Sequence, residues 1–240
     1  FWNRNVTSYP NDHQRISVEE LAYIQENAPS SEPAKKIPLK ELLLNKPFLA
    51  IVAATFTNNW SLFVFLSFLP KFIDNELGIE LESSIFVILI IIPSIISVIA
   101  LNAGGYLADS LINNGMRIIK VRKTLNSIGF FGSAACLFMI PFFDSILIIM
   151  ILICITNLFA GAAAGGFGVN HADIGPSTTG TLVGIASTFG MVAGVAGNAV
   201  SGYVLDITDS WLLVFHISAV LIVIGGLIYL FWASDQKQFD

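Results

Sequence analysis

The sequence predicts an all-α membrane protein with six transmembrane helices, and three observations carry that prediction. The 240-residue chain is 55% hydrophobic and only 12% charged, with a mean hydropathy of +0.75, whereas soluble domains carry about 25% charged residues. Apolar stretches at roughly 48–70, 84–107, 124–143, 145–168, 178–204 and 211–233 each supply the ~20 residues that a helix needs to cross the hydrocarbon. Finally, the basic residues fall in alternate connections between these stretches, as a chain threading back and forth through a bilayer requires.

Residues 1–45 are polar and read as a cytoplasmic linker, with Pro29, Pro33, Pro38 and the Lys35-Lys36 pair. The opening "FWNRNVTSYP" has no initiator Met and no signal-peptide layout, so it reads as the interior of a longer protein. The Asn5-Val6-Thr7 sequon falls on the cytoplasmic side of the expected topology, away from glycosylation machinery. Within "ISVEELAYIQ" a short helix is predicted: Ser17 caps it and Glu20, three residues on, completes a capping box. Residues 46–235 then form the expected bundle, and 236–240 a cytoplasmic tail.

The first span carries the densest embedded polar cluster, "FTNNWS", with Thr55, Thr57, Asn58, Asn59, Trp60 and Ser61. Such groups either hold an anion or a file of water, or bond neighbouring helices at about 0.6–2 kcal/mol each. Pro93 is expected to kink the second span, which also holds Asn102. Cys136 and Cys154 lie in apolar runs and read as small embedded hydrophobes. The fourth span adds Thr156 and Asn157 and ends "FAGAAAGGFG", where Gly165, Gly166 and Gly168 weaken the helix and allow either close packing or a bend. "GFGVNHADIGP" follows, with Asn170, His171 and Asp173 at the helix end and Gly175-Pro176 breaking it. In the fifth span, Gly180/Gly184 and Gly190/Gly194 stand at the four-residue spacing of close helix contacts, followed by Asn198. His216 lies in the sixth.

Lys35, Lys36, Lys40 and Lys46 precede the first span; Arg117, Lys120, Arg122 and Lys123 separate the second and third; Lys237 follows the sixth. The other connections carry Asp74, Glu76, Glu80, Glu82, Asp144, Asp206 and Asp209, with Lys71 as their sole cation. The basic face is therefore cytoplasmic or its organellar equivalent. No Lys or Arg lies in the middle of a span, so no charged pathway is marked within the membrane. A P-loop, metal-ligand spacing and a nucleophile elbow are all missing, which argues against an enzyme, a metal or a cofactor. The partners expected are a lipid bilayer and a small solute, and no nucleic acid.

"GGYLADSLINNG…KVRK" resembles the Gly-x-x-x-Asp loop of the major facilitator superfamily, with Gly105 and Asp109 in its key places and Arg117, Arg122 and Lys123 as basic partners for a cytoplasmic latch. "HQRISVEELAYI", "VRKTLNSIGFFG" and "GFGVNHADIGP" with "GTLVGIASTFGMVAGVAGNAVSGYVLD" are similar to the anion:cation symporter branch. That branch includes sodium–phosphate cotransporters, sialin, vesicular glutamate transporters and plastid anion transporters. "DIGP" and "NNW" resemble the plastid members more. The motifs run the whole length of the chain in order. The resemblance implies a central loop plus helices seven to twelve, the C-terminal half of a twelve-helix fold working with an N-terminal half.

It also implies a secondary transporter of inorganic phosphate or a small organic anion, coupled to Na⁺ or H⁺. Asn58 stands where the vesicular glutamate members carry an Arg, which favours phosphate or another small anion over glutamate. Asn58, Asn59 and Trp60 are the candidate substrate ligands. Asn170 and Asp173 are candidate gate residues and His171 a gate or proton site; the plain alternative is a solvated helix end. A different class also stays open: a non-transporting structural subunit of a larger membrane complex.

Overall fold

The computed structural model describes residues 7, 9–13, 15–27, 37–79 and 83–239, with the side chains of residues 84 and 85 excepted. Pro29, Pro33, Lys35, Lys36, Glu80, Glu82 and most of the sequon lie outside the described residues. The chain divides into two compact units, Phe1–Lys36 and Ile37–Asp240.

In the first unit a 3₁₀ turn at Pro10–Asp12 precedes helix α1 (Val18–Asn27). Ser17 Oγ accepts from the backbone N–H of Glu20 at 3.1 Å, the predicted N-cap, and Gln25 Nε2 donates to Asn11 Oδ1 at 2.8 Å.

The second unit begins at Ile37, and its first helix, α2 (Leu39–Leu44), buries Leu42 completely. The spans follow as α3 (Lys46–Leu77), α4 (Ser84–Asn113), α5 (Ile118–Met139), α6 (Ile146–Ala163), a π turn (Ala164–Gly168), the short α7 (Asn170–Ile174), α8 (Thr179–Thr208) and α9 (Trp211–Trp232). Among the described residues six helical spans are long and apolar enough to cross a membrane, and the chain is an integral multi-pass membrane protein.

Several helices outrun the apolar stretches that announce them. Hydropathy marks only the part of a helix inside hydrocarbon, while backbone hydrogen bonds carry it further into the polar layers. α3 starts under an Asn45 cap, whose Oδ1 accepts from Phe48 N at 3.0 Å, and continues through Pro70. It ends where Gly78, at φ 62°, returns its N–H to Asp74 O. α4 starts at a Ser83 cap and runs through Pro93 as one helix. Gly115, at φ 87°, then makes the tight reversal that lets the basic "IIKVRK" turn open α5.

The main packing pairs are α3 with α8 and α9, α5 with α6 and α9, and α4 with α6. The helices thus neighbour one another in the order α8–α3–α9–α5–α6–α4, and the sequence neighbours α3 and α4 are not a main pair. Lipid offers no hydrophobic drive between helices, so close backbone approach and dispersion hold them. A side chain at Gly104 of α4 would strike the carbonyl oxygen of Gly161 in α6, and one at Gly161 would strike Ala100. In α8, Gly190 and Gly194 receive Asn59 and Phe63 of α3, whereas Gly180 and Gly184 face open space. The two glycine pairs thus do different things despite identical spacing. Aromatic contacts of Phe72 with Trp211 and Phe215 join α3 to α9 near the acidic end.

Candidate transport cavity and inner gate

A cavity of about 300 Å³ opens among α3, α4, α5 and α6. Its polar lining is Asn58 and Ser61 from α3, Ser97 from α4, Ser133 from α5, and Thr156 and Asn157 from α6; Phe65, Phe130 and Phe167 supply aromatic wall. None of the described residues lining it is charged. Thr156 Oγ1 and Asn157 Nδ2 donate to the carbonyls of Leu152 and Ile153 in their own helix, at 2.8 and 3.0 Å. Ser133 Oγ donates to Thr156 O at 3.2 Å and joins α5 to α6. Among the described residues the groups left for a solute are the amide of Asn58 and the hydroxyl of Ser97, both half-buried and unbonded, and the Ser61 hydroxyl, buried without a partner.

Helical geometry separates the three candidate ligands of the first span. Residues three and four apart share a face, so Asn58 turns with Ser61, Leu62 and Phe65 to the cavity. Asn59 lies a third of a turn away, against Gly190 of α8. Trp60 is 7% exposed, with its indole over Gly197 of α8 and its ring 6.5 Å from that of Phe56. The structure brings Asn58 alone to the cavity and sets Asn59 and Trp60 in the α3–α8 seam.

Alternating spans gather distant segments at the basic end. Arg122, in the second turn of α5, is 7% exposed and chelates Asp173: Nε lies 2.8 Å from Oδ2 and Nη2 3.3 Å from Oδ1. Its Nη1 donates to Gly165 O in the π turn at 3.0 Å. Asn170 is fully buried; its Nδ2 donates to Asp173 Oδ2 and to Ser234 O, both at 3.0 Å, and its Oδ1 accepts from the Tyr229 hydroxyl at 3.0 Å. Asp235 Oδ2 accepts from Ile119 N at 3.2 Å, placing a carboxylate at the positive start of α5. A buried ion pair is tolerable only when further hydrogen bonds satisfy its remaining atoms, and here they do.

The remaining predicted gate residues sit apart from this network. Asp109 is exposed and forms no ion pair or hydrogen bond with a described residue, so the Gly-x-x-x-Asp loop is not latched to Arg122. Gly105 has nothing within 4 Å of where a Cβ would stand. Lys123 is half-buried without an ion pair among the described residues, and Arg117 is exposed. His171 is buried beside the network but its ring takes no part in it. Residues 238–239 close the same end: Gln238 N and Phe239 N donate to Ile174 O, and Phe239 packs edge-on against Phe48.

Tyr229, Ser234, Asp235 and the Gly165 carbonyl escaped the sequence reading. Backbone acceptors leave no trace in a sequence. Tyr229 did leave one, since a tyrosine inside "LIYLFW" has a hydroxyl that must find a partner once buried.

Six membrane-crossing helices, an uncharged polar cavity and a satisfied ion-pair network at one end define a transporter-type membrane domain. The Major Facilitator Superfamily model matches residues 6–197, and the chain belongs to that superfamily. It is 34% identical over its whole length to probable anion transporter 1, chloroplastic, of Oryza sativa subsp. japonica, covering 45% of that protein. It is 32% identical over its whole length to two Arabidopsis thaliana proteins: sodium-dependent phosphate transport protein 1, chloroplastic, with 46% covered, and the chloroplastic ascorbate transporter, with 44% covered. These relatives are transporters of the anion:cation symporter branch that the loop motifs resemble. The chain spans about half the length of the curated relatives it matches, and its six spans are half of the superfamily's twelve-helix fold.

Proposed function

We propose that this chain is the C-terminal half of a secondary active transporter that moves inorganic phosphate or a small organic anion, coupled to Na⁺ or H⁺. The carrying observation is the uncharged cavity, where Asn58, Ser61 and Ser97 hold unspent hydrogen-bonding groups while Ser133, Thr156 and Asn157 donate to backbone carbonyls. An anion loses much of its hydration on entering such a space and needs compensating charge. Its main cationic ligand therefore comes from an N-terminal half, with the site at the interface between halves that alternating access requires. The phosphate and ascorbate named for two relatives, and the chloroplast named for all three, support an anion substrate and a plastid membrane.

The network of Arg122, Asp173 and Asn170 is the proposed inner gate of this half, with Gly105, Asp109, Lys123 and His171 as further proposed gate residues outside that network. The deciding experiment is uptake of radiolabelled phosphate and ascorbate into proteoliposomes holding the full-length protein, with and without Na⁺ and pH gradients. Gradient-dependent accumulation of either anion is expected. Absence of uptake for both, from protein that remains folded, overturns the transporter reading in favour of a structural subunit.

A further inference from the structure

We propose that Arg122 is a positioning residue for the transport cavity, acting through the π turn rather than through the gate alone. The inference rests on the transporter reading for its kinetic arm and on geometry for the rest.

The last stretch of the fourth span does not continue as an α-helix. Between Ala164 and Gly168 it widens into a π turn, a form found mostly as single turns and often at functional sites. This turn is pressed between two helices. A side chain at Gly165 would strike the Gly104 carbonyl of α4, and a Cβ at Gly166 would lie 2.7 Å from Arg122 O and 2.8 Å from the Asn126 backbone of α5. The turn therefore has no freedom to shift without moving its neighbours.

Two of its residues, Ala164 and Phe167, line the cavity. Phe167 packs edge-on against Phe130 of the opposite wall, with ring centroids 5.7 Å apart. Between those two residues lies Gly165, whose carbonyl accepts from Arg122 Nη1 at 3.0 Å. The same guanidinium grips Asp173 through Nε and Nη2. One planar side chain thus holds the cavity wall with one edge and the ion-pair network with the other. A lysine at this position supplies a point charge without a fork and cannot hold both.

Loss of the Gly165 contact removes a side-chain hydrogen bond to the turn that carries Phe167 and lowers the cost of opening it, while the charge opposite Asp173 persists. A solute pressing on Phe167 is felt, by the same route, at the Asp173 pair.

The test uses hydrogen–deuterium exchange on the purified full-length protein, followed over residues 163–170. Arg122→Lys is expected to lower protection there by roughly tenfold or more, the weight of a charge-assisted hydrogen bond. Tyr229→Phe, which cuts the network at its far end, is expected to leave that protection unchanged. Equal loss in both variants means general loosening and overturns the proposal, as does unchanged exchange in Arg122→Lys. Where the lysine variant does not accumulate, Arg122→Gln, whose single short amide cannot hold Asp173 and the Gly165 carbonyl together, is measured in its place against the same expectation of lowered protection over residues 163–170.

Phosphate uptake supplies the second arm. Arg122→Lys and Phe167→Leu should each raise KM severalfold, and the double variant should raise it no further. Additive effects, or a change in kcat with KM untouched, overturn the proposal. If the wild-type protein moves no phosphate, the transport reading suffers for that anion while the exchange data still decide the role of Arg122.

Discussion

Neutralising Asp173 is the most informative single perturbation of the inner end. Asp173→Asn keeps shape and one acceptor oxygen but removes the negative charge facing a guanidinium that is 7% exposed. Breaking a buried ion pair from one side costs about 3–5 kcal/mol, because the other charge stays buried without its counter-ion. The retained acceptor offsets part of this, at about 1 kcal/mol for an ordinary hydrogen bond. The amide must also meet Asn170 Nδ2, which now faces either an oxygen it can use or an NH₂ it cannot. A net loss of about 2–4 kcal/mol is expected. Replacing both partners by apolar residues, Arg122→Met with Asp173→Leu, should recover most of the stability without recovering transport. Thermal unfolding of the detergent-purified full-length protein reads the first effect and proteoliposome uptake the second. An Asp173→Asn variant as stable as wild type would refute the view that the pair is desolvated, and full flux in the apolar double variant would remove it from the gate.

Asn58→Ala should raise the KM for uptake by about fivefold if its amide contributes a hydrogen bond of ordinary strength to the solute, while Asn59→Ala should alter stability and leave KM alone; the reverse pattern in uptake kinetics would relocate the site to the α3–α8 seam. Gly104→Val should destabilise by at least about 1–3 kcal/mol through overpacking against Gly161, read as a lowered unfolding temperature, whereas Gly184→Ala, in open space, should be neutral or slightly stabilising. Asp109→Asn should leave unfolding temperature unchanged, since the carboxylate is exposed and unpaired within the described residues. Unaltered flux in that variant would strike Asp109 from the gate.

How much of this was legible beforehand differs between fold and site. The six spans follow from hydropathy because hydrocarbon accepts only satisfied backbone, and a helix is the one local way to satisfy it. Helix ends were less legible: α3 and α4 run well past their apolar stretches, since nothing in hydropathy marks where hydrogen bonding stops. Pro93 and Pro70 sit inside continuous helices, so neither proline ends its helix. The interruption came instead at Ala164–Gly168, in a run of small residues that the sequence marked as weak without saying which way it would yield.

By itself the sequence determined the class of protein: a chain of alternating apolar runs and one-sided basic connections has few stable ways to exist outside a six-span bundle. It also determined which residues were unusual, because amides, an imidazole and a carboxylate at the end of an apolar run stand out by their desolvation cost. Tertiary structure decided who pairs with whom. Asn58 and Asn59 are adjacent in the chain and part company because one face of α3 meets a cavity and the next meets Gly190. Arg122 had Asp109 as its expected partner and took Asp173, 51 residues away, because the π turn and α7 carry that carboxylate beneath the start of α5. Hydropathy and helical period are local properties of a segment. The partner of a buried charge depends on which helix ends share one side of the membrane and on their rotation about their axes, and only the assembled bundle fixes that rotation.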